Sequence, residues 1–257
     1  MFLFSKSLPQ AVFRDLESRN WYRYCSPRGF YPLAGKLIPR FAIVALMTCT
    51  VGLYLGFFVA PVDVSPGGLT RITFIHVPAT WAALLIFLTM AASAGIGLLL
   101  RSPLAAMAAK ALAPTGLLFA FLDIWTGCLW NKPIWGNWWV WDLRMVSELA
   151  LAFFYIGFIG LHTLGEEPSR ANKAGALLLL AGVLCVPGLI AAEHTWPARQ
   201  LETGLRTLDL CEQASLLVLS LGFLMYAGAA VLMRLRCVIL EGERQGDSVA
   251  AHGGSVP

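Results

Sequence analysis

Six long apolar segments, separated by shorter polar ones, limit what this chain can fold into. A helix needs about 20 mostly apolar residues to cross the hydrocarbon core of a bilayer, which is about 30 Å thick. The segments of that length are Phe41–Ala60, Ile72–Leu100, Ala106–Cys128, Met145–Leu164, Ala174–Ala192 and Ala214–Leu235. Only 13% of the residues are charged, whereas a soluble domain has about 25%. The sequence therefore predicts an all-α integral membrane protein, a single six-span domain over residues 1–257.

Lysine and arginine are unevenly distributed among the segments that join these spans. Fourteen of them lie in the amino-terminal segment, the connections after the second and fourth spans, and the tail, whereas five lie in the other connections. Cytoplasmic loops carry the excess of positive charge in membrane proteins. We therefore predict that both termini are cytoplasmic, with residues 1–40 as the amino-terminal segment and 237–257 as the tail. The connections after the first, third and fifth spans then share the outer face.

The middle outer connection, residues 131–144, is rich in tryptophan. It places four of the nine tryptophans within seven positions, at Trp135, Trp138, Trp139 and Trp141. An indole is large and apolar, and its N–H needs a partner when it is buried, so four in one Gly-containing loop cannot all face one core. Either this loop anchors the protein at the membrane interface, as Trp commonly does, or it forms a surface for a large, flat, apolar ligand.

Two histidines flank this loop on the same predicted face. His76 lies at the outer end of the second span, and His194 lies at the outer end of the fifth. Neutral imidazole is a common metal ligand and an axial ligand of haem iron. The alternative for each histidine is a hydrogen-bonded structural role. A tetrapyrrole needs apolar walls, nitrogen ligands and cations for its propionates. The cations on this face are Arg71, Arg144, Arg199 and Arg206.

Several polar residues lie within or beside the spans. Asp123 is inside the third span, where a charge is a functional-site hypothesis by default. We favour a hydrogen-bonded structural role for it, because the sequence shows no second acid or histidine deep in these spans. Arg144 and Glu148 are spaced to pair on one helical face, and Asp142 is expected to cap the fourth span. His162, near the inner end of that span, is expected to be structural.

The chain carries no recognisable framework for an enzyme. Its six cysteines include no C-x-x-C pair, so a disulfide or zinc framework is not expected, although Cys128 and Cys211 fall on one predicted face. We find no nucleotide-phosphate loop and no nucleophile–base constellation, which favours a non-enzymatic membrane subunit. A redox anchor with b-type haem inside the bundle would need histidine pairs within the spans. A solute permease subunit would need more intramembrane polar residues.

Two motifs resemble a known family. Residues Lys132–Arg144, which read KPIWGNWWVWDLR, closely resemble the WWD signature of haem-handling proteins. Residues Ile75–Ala79, which read IHVPA, and the six-span length resemble cytochrome c maturation protein C, the haem exporter protein C family. The resemblance implies a multi-pass protein of the bacterial inner membrane. Such a protein holds haem b at the periplasmic face and passes it to a haem chaperone.

The resemblance also implies partners and site residues. The partners are an ABC-type ATPase subunit, its membrane partner, a small single-span subunit and the periplasmic haem chaperone. His76 matches the motif of the first axial ligand. The expected haem contacts of the loop are Trp135, Trp138, Trp139, Trp141, Asp142 and Arg144. The family expects a second histidine in the third outer loop, but an ungapped comparison places Arg199 there and His194 five residues earlier. Either His194 binds iron from a shifted loop, or haem is held differently.

Overall fold

The structure is a computed structural model that describes residues 22–60, 70–165, 167–195 and 210–253. Over these residues the chain forms long helices joined by short connections. They are α1 (Pro27–Tyr54), α2 (Thr70–Leu99), α3 (Pro103–Trp135), α4 (Leu143–Leu164), α5 (Pro168–Thr195) and α6 (Leu210–Gly253). A short 3-10 helix, Tyr22–Cys25, precedes α1, and a π-helical turn, Leu55–Val59, extends it. The predicted all-α class is confirmed for this part of the chain.

Five segments are long and apolar enough to cross a membrane. They are Pro27–Val59, Arg71–Leu99, Pro103–Pro133, Leu143–Leu164 and Leu210–Arg244. These five confirm a multi-pass membrane protein. The remaining predicted span, Ala174–Ala192, lies on α5, a helix of 28 residues. Its role as a membrane crossing stays a prediction, as does the orientation of the bundle.

The helices run further than the apolar segments that predicted them. α1 begins at Pro27, inside the predicted amino-terminal segment, because the Ser26 hydroxyl accepts the Gly29 N–H at 3.2 Å and caps the helix. α3 continues to Trp135, so the first residues of the predicted 131–144 loop are helical. α6 likewise continues through the predicted tail to Gly253. Capping and propensity set helix ends, whereas hydropathy locates only the apolar part of each helix.

α2 and α3 form the centre of the bundle. They pack against each other, α4 packs on α3 and α5, and α6 packs on both central helices and on α1. Phe87 and Met90 of α2 and Tyr155 of α4 are fully buried in this core. Tyr155 Oη donates a 2.7 Å hydrogen bond to the carbonyl of Ala83. In a bilayer, polar contacts and close packing hold helices together, so this bond ties α4 to the central pair.

The Gly52-x-x-x-Gly56 spacing permits close contact between helices, and the structure places both glycines against α6. A Cβ added at Gly52 would lie 2.9 Å from the backbone nitrogen of Leu219, and one at Gly56 would lie 2.7 Å from Ser215 Oγ. The Ser215 hydroxyl also donates to the Gly52 carbonyl at 2.8 Å. The small residues therefore let α1 approach the backbone of α6.

Substituting Gly52→Ala is expected to destabilise the protein by about 1–3 kcal/mol, because the new methyl group meets backbone that cannot yield locally. Gly160→Ala is the matched control, because a Cβ there would meet no described atom within 4 Å. Thermal unfolding of both variants in detergent is the measurement. We expect a lower midpoint for Gly52→Ala and no loss for Gly160→Ala. Equal midpoints would contradict the proposed α1–α6 contact.

Candidate functional site

A cluster of polar side chains joins α2, α3 and α4 at the end of the bundle that carries the Trp-rich connection. We call it the polar cluster, and its members are His76, Thr80, Asp123, Thr126, Arg144 and Glu148. His76 lies near the start of α2, Asp123 lies towards the end of α3, and Arg144 lies on the first turn of α4. The alternating directions of successive helices bring these distant positions to one place.

Both ring nitrogens of His76 have close partners. Nδ1 lies 2.9 Å from Thr126 Oγ1 and 3.2 Å from Asp123 Oδ1. Nε2 lies 3.2 Å from Arg144 Nη1. The side chain is 15% exposed, so the surrounding helices leave only a small opening to it. The imidazole is therefore held in one orientation by partners on α3 and α4.

Asp123 is buried, and it accepts a hydrogen bond from the Thr80 hydroxyl. The prediction that Asp123 is hydrogen-bonded is confirmed. The sequence shows no second acid or histidine deep in the spans, but residues near the starts of α2 and α4 approach Asp123, because ligand atoms of His76, Asp123 and Glu148 lie within 4.8 Å of one another. Packing of α2 and α4 on α3 produces this proximity. The Arg144 guanidinium contacts both His76 and Glu148, so the group already contains a cation.

The start of α4 is fixed by two predicted interactions, and both are confirmed. Arg144 Nη1 donates to Glu148 Oε1 at 2.8 Å, with 6% and 4% of the two side chains exposed. Asp142 caps the helix, because its Oδ1 accepts the Met145 N–H at 2.7 Å. Removing one partner of a buried ion pair leaves an uncompensated charge, so Arg144 and Glu148 depend on each other.

The Trp-rich connection runs from Gly136 to Asp142 and presents aromatic rings at the surface. Gly136 ends α3 with a φ of 74°, a left-handed conformation that glycine adopts without strain. The Trp138 and Trp141 side chains are 55% and 80% exposed. Trp139 is half-buried and meets Trp141 edge to face, with ring centroids 5.5 Å apart. As predicted, the tryptophans do not share one core.

A cation lies at the edge of these rings. The Lys132 ammonium group is 5.7 Å from the centroid of the Trp138 ring, and it donates to the Gly136 carbonyl at 2.7 Å. Trp135, on the last turn of α3, is 50% exposed. The connection therefore combines exposed aromatic faces with a positive charge within reach of one of them.

Buried polar atoms without a hydrogen-bond partner occur beside this surface. Among the described residues they include Trp139 Nε1, Arg144 Nη2, Asp142 Oδ2 and both amide atoms of Asn131. Buried polar groups are nearly always paired, so unpaired ones point to a ligand or to ordered water. Trp139 Nε1 and Arg144 Nη2 are donors and fit a carboxylate, whereas Asp142 Oδ2 is an acceptor and does not. The donors and the aromatic faces together fit a flat apolar ligand that carries carboxylates.

The other predicted site residues are less well defined. His194 lies near the end of α5, but its side chain is outside the described residues, as are Arg199 and Arg206 entirely. Whether His194 approaches His76 therefore stays untested. Arg71 lies on the first turn of α2 and is half-buried.

Two further expectations concern residues outside the polar cluster. The His162 Nδ1 lies 2.9 Å from the Phe158 carbonyl, and its Nε2 lies 3.1 Å from Asn172 Oδ1. The contact with Asn172 joins α4 to α5, and the two contacts together confirm a structural role for His162. Cys128 and Cys211 are free thiols, so the pairing that their shared face permits does not form.

Sequence reasoning missed Thr80, Thr126 and Asn131. Thr80 follows His76 by four residues, and Thr126 follows Asp123 by three, so each lies on the same helical face as its neighbour. That spacing was the available signal for the two threonines. Asn131 is fully buried at the end of α3, and an isolated asparagine near a loop gives no comparable signal.

Comparison with known proteins covers most of the chain. The family model for heme exporter protein C matches residues 20–250. The heme exporter protein C of Escherichia coli (strain K12) is 37% identical over 221 residues, which cover 85% of this chain and 90% of the relative. That of Bradyrhizobium diazoefficiens is 36% identical over 203 residues, or 77% of each chain. That of Rhodobacter capsulatus is 36% identical over 171 residues, or 66% and 68% of the two chains.

The polar cluster and the Trp-rich connection both lie within the matched residues. The resemblance expected from the WWD motif and from Ile75–Ala79 is thereby confirmed at the level of the family. A family match over nearly the whole chain, together with relatives more than 30% identical over most of it, establishes membership. This multi-pass membrane protein belongs to the heme exporter protein C family.

Proposed function

We propose that this protein binds haem b at the periplasmic face of the bacterial inner membrane and presents it to a haem chaperone during cytochrome c maturation. The observation that carries the proposal is the position of His76, a candidate iron ligand joined to the Trp-rich connection through Arg144. The family name, which denotes haem export, supports the same cargo. Haem is the cargo of this protein in the proposal, and the chain performs no covalent chemistry on it.

His76 supplies an iron ligand in this proposal. Its Nε2 is the nitrogen that faces Arg144 Nη1, so iron binding there requires the guanidinium to withdraw from the ring. Glu148 lies one turn further along α4 and still pairs with the same side chain. Arg144 Nη2 has no hydrogen-bond partner among the described residues and can donate to a haem propionate. The guanidinium that contacts the iron-binding nitrogen of His76 therefore also donates a hydrogen bond to a haem propionate.

The tryptophans supply an apolar surface for the macrocycle. The rings of Trp135, Trp138 and Trp141 are at least half exposed, and covering such area with a tetrapyrrole removes it from water at about 25 cal/mol per Å². Trp139 Nε1, a donor without a partner in the part of the chain that the structure describes, fits the second propionate. Because the connection lies at the surface, an edge of the tetrapyrrole stays accessible to a chaperone.

The second axial ligand is proposed to come from the connection after α5. His194 lies near the carboxyl end of α5, the end that leads into that connection. We propose that His194, in a loop shifted relative to the family pattern, is the second iron ligand beside His76. The alternative is that haem is held differently, because an ungapped comparison places Arg199, which cannot bind iron, where the family expects a histidine.

The proposed partners are an ABC-type ATPase subunit, its membrane partner, a small single-span subunit and the periplasmic haem chaperone. We assign any ATP-driven step to the ATPase, because the sequence shows no phosphate-binding loop. The exposed Trp-rich connection is the surface on which the chaperone receives haem. These assignments rest on family membership and on the positions of the exposed rings.

The first prediction concerns haem itself. Protein purified after expression with ample haem is expected to show haem absorbance, and His76→Ala is expected to lose the low-spin signature because one axial nitrogen is gone. His162→Gln is the matched control, since His162 bridges α4 and α5 away from this site. Visible spectra of the three proteins are the measurement. Normal iron ligation in His76→Ala would exclude that residue as a ligand.

The second prediction separates the two arrangements of the third outer loop. If His194 binds iron, His194→Ala loses the low-spin signature and Arg199→Ala keeps it. Visible spectra of both variants, at matched protein and haem concentrations, give the answer. The shifted-loop proposal fails if His194→Ala retains wild-type ligation.

The third prediction tests the propionate donor. Trp139→Phe keeps an aromatic ring but removes the unpaired Nε1–H. A hydrogen bond to a charged group contributes about 1.5–3 kcal/mol, so we expect haem affinity to fall about tenfold to a hundredfold. Trp125→Phe is the control, because Trp125 is an exposed tryptophan of α3 outside the connection. Equal haem retention in the two variants would remove Trp139 from the site.

A further inference from the structure

We infer that Asp123 is a positioning residue for His76: together with Thr126 it holds the imidazole in the Nδ1–H tautomer and so presents the Nε2 lone pair to iron. The inference rests on the proposed function, and it adds a residue to which the family resemblance assigned no role. It is carried by the hydrogen-bonding capacity of the three side chains that lie within 3.2 Å of its ring nitrogens. Each of them fixes whether the facing nitrogen donates or accepts.

The Nδ1 side of the ring faces two acceptors. The Thr126 hydroxyl is 2.8 Å and 2.9 Å from the carbonyl oxygens of Leu122 and Asp123, to which it donates its hydrogen. Its oxygen, 2.9 Å from Nδ1, is therefore left to accept. The Asp123 carboxylate oxygen, 3.2 Å from Nδ1, is also an acceptor. Nδ1 must therefore carry the hydrogen.

The Nε2 side faces a donor. Arg144 Nη1 lies 3.2 Å from Nε2, and a guanidinium has N–H groups and no acceptor. Nε2 must then offer its lone pair. All three neighbours are satisfied by the same neutral tautomer, and that tautomer presents the lone pair on the side of α4 and the Trp-rich connection. In the opposite tautomer, the Nδ1 lone pair would face the two acceptors, Thr126 and Asp123. The Nε2–H would face the N–H groups of Arg144.

The Asp123 carboxylate is itself held in place by a hydrogen bond. The Thr80 hydroxyl, one turn after His76 on α2, donates to the same Asp123 oxygen that faces Nδ1. Only 2% of the Asp123 side chain is exposed, so water does not compete strongly for it. A carboxylate that accepts the second N–H of a ligating histidine fixes ring orientation and increases the basicity of the ligand nitrogen. Asp123 therefore acts on iron through His76 and not by touching the haem.

The test compares redox potentials of the bound haem. Asp123→Asn keeps the size of the side chain but replaces the carboxylate by a weaker, neutral acceptor. We expect His76-dependent low-spin haem to remain, and its midpoint potential to become more positive because a less basic imidazole stabilises ferric iron less. Thr126→Val removes the other acceptor, with a smaller expected shift in the same direction. Thr115→Val is the control, because Thr115 is buried on α3 and its hydroxyl has no partner among residues 22–60, 70–165, 167–195 and 210–253.

The outcomes separate this inference from the proposed function. Wild-type protein without haem absorbance would overturn the proposed function, and this inference with it. Wild-type protein with His76-dependent haem, and unchanged potentials in both Asp123→Asn and Thr126→Val, would overturn only the role of Asp123. If Asp123→Asn accumulates poorly, Thr126→Val still tests whether an acceptor at Nδ1 affects the potential, and an unchanged value contradicts the inference.

A ligand exchange experiment separates hydrogen bonding from a general effect of the carboxylate charge. In a His76→Gly background, imidazole and 1-methylimidazole are offered as replacement ligands, and only imidazole keeps an N–H to donate to Asp123. We expect imidazole to bind more tightly, and this preference to fall about tenfold or more when Asp123→Asn is added. An unchanged preference would show that Asp123 does not position the ring.

Discussion

The contact of Arg144 with His76 and Glu148 organises the part of the bundle on which the proposed function depends. It links the start of α4 to α2, and through His76 it reaches Asp123 and Thr126 on α3. A guanidinium buried to this extent is stable only when charges and hydrogen bonds compensate its lost hydration. Glu148 provides the charge, and His76 provides a lone pair. The orientation of the candidate iron ligand is therefore a consequence of how the membrane helices satisfy one buried cation.

The Trp-rich connection depends on the same helix start. Asp142 ends the connection and caps α4, and Arg144 follows it by two residues. Gly136 begins the connection with a backbone conformation that releases the chain from α3. The exposed rings of Trp138 and Trp141 thus lie in a short segment between two capped helix ends. A surface of this kind can bind a flat ligand at a lower entropic cost than a free loop.

Much of this arrangement could be predicted from the sequence because it rests on local rules. Hydropathy located the helices, the i,i+4 spacing paired Arg144 with Glu148, and Asp142 was recognised as a cap. The helix ends were less accurate, since α3 and α6 continue beyond their apolar runs. The surroundings of Asp123 could not be predicted, because they depend on which face of α2 meets α3. The contacting face depends on packing along the whole length of both helices, so no single residue spacing in the sequence predicts it.

Arg144 also bears on how a protein of this kind could release what it binds. A ligand nitrogen buried without a partner costs free energy, and so does an unpaired guanidinium. In the proposed function, haem pairs both groups at once, because iron binds His76 Nε2 and a propionate accepts a hydrogen bond from Arg144 Nη2. When haem leaves, Nε2 and Nη1 become partners again at the separation seen in this structure. The protein therefore loses few hydrogen bonds when haem leaves. This favours a site that holds haem only until it is transferred.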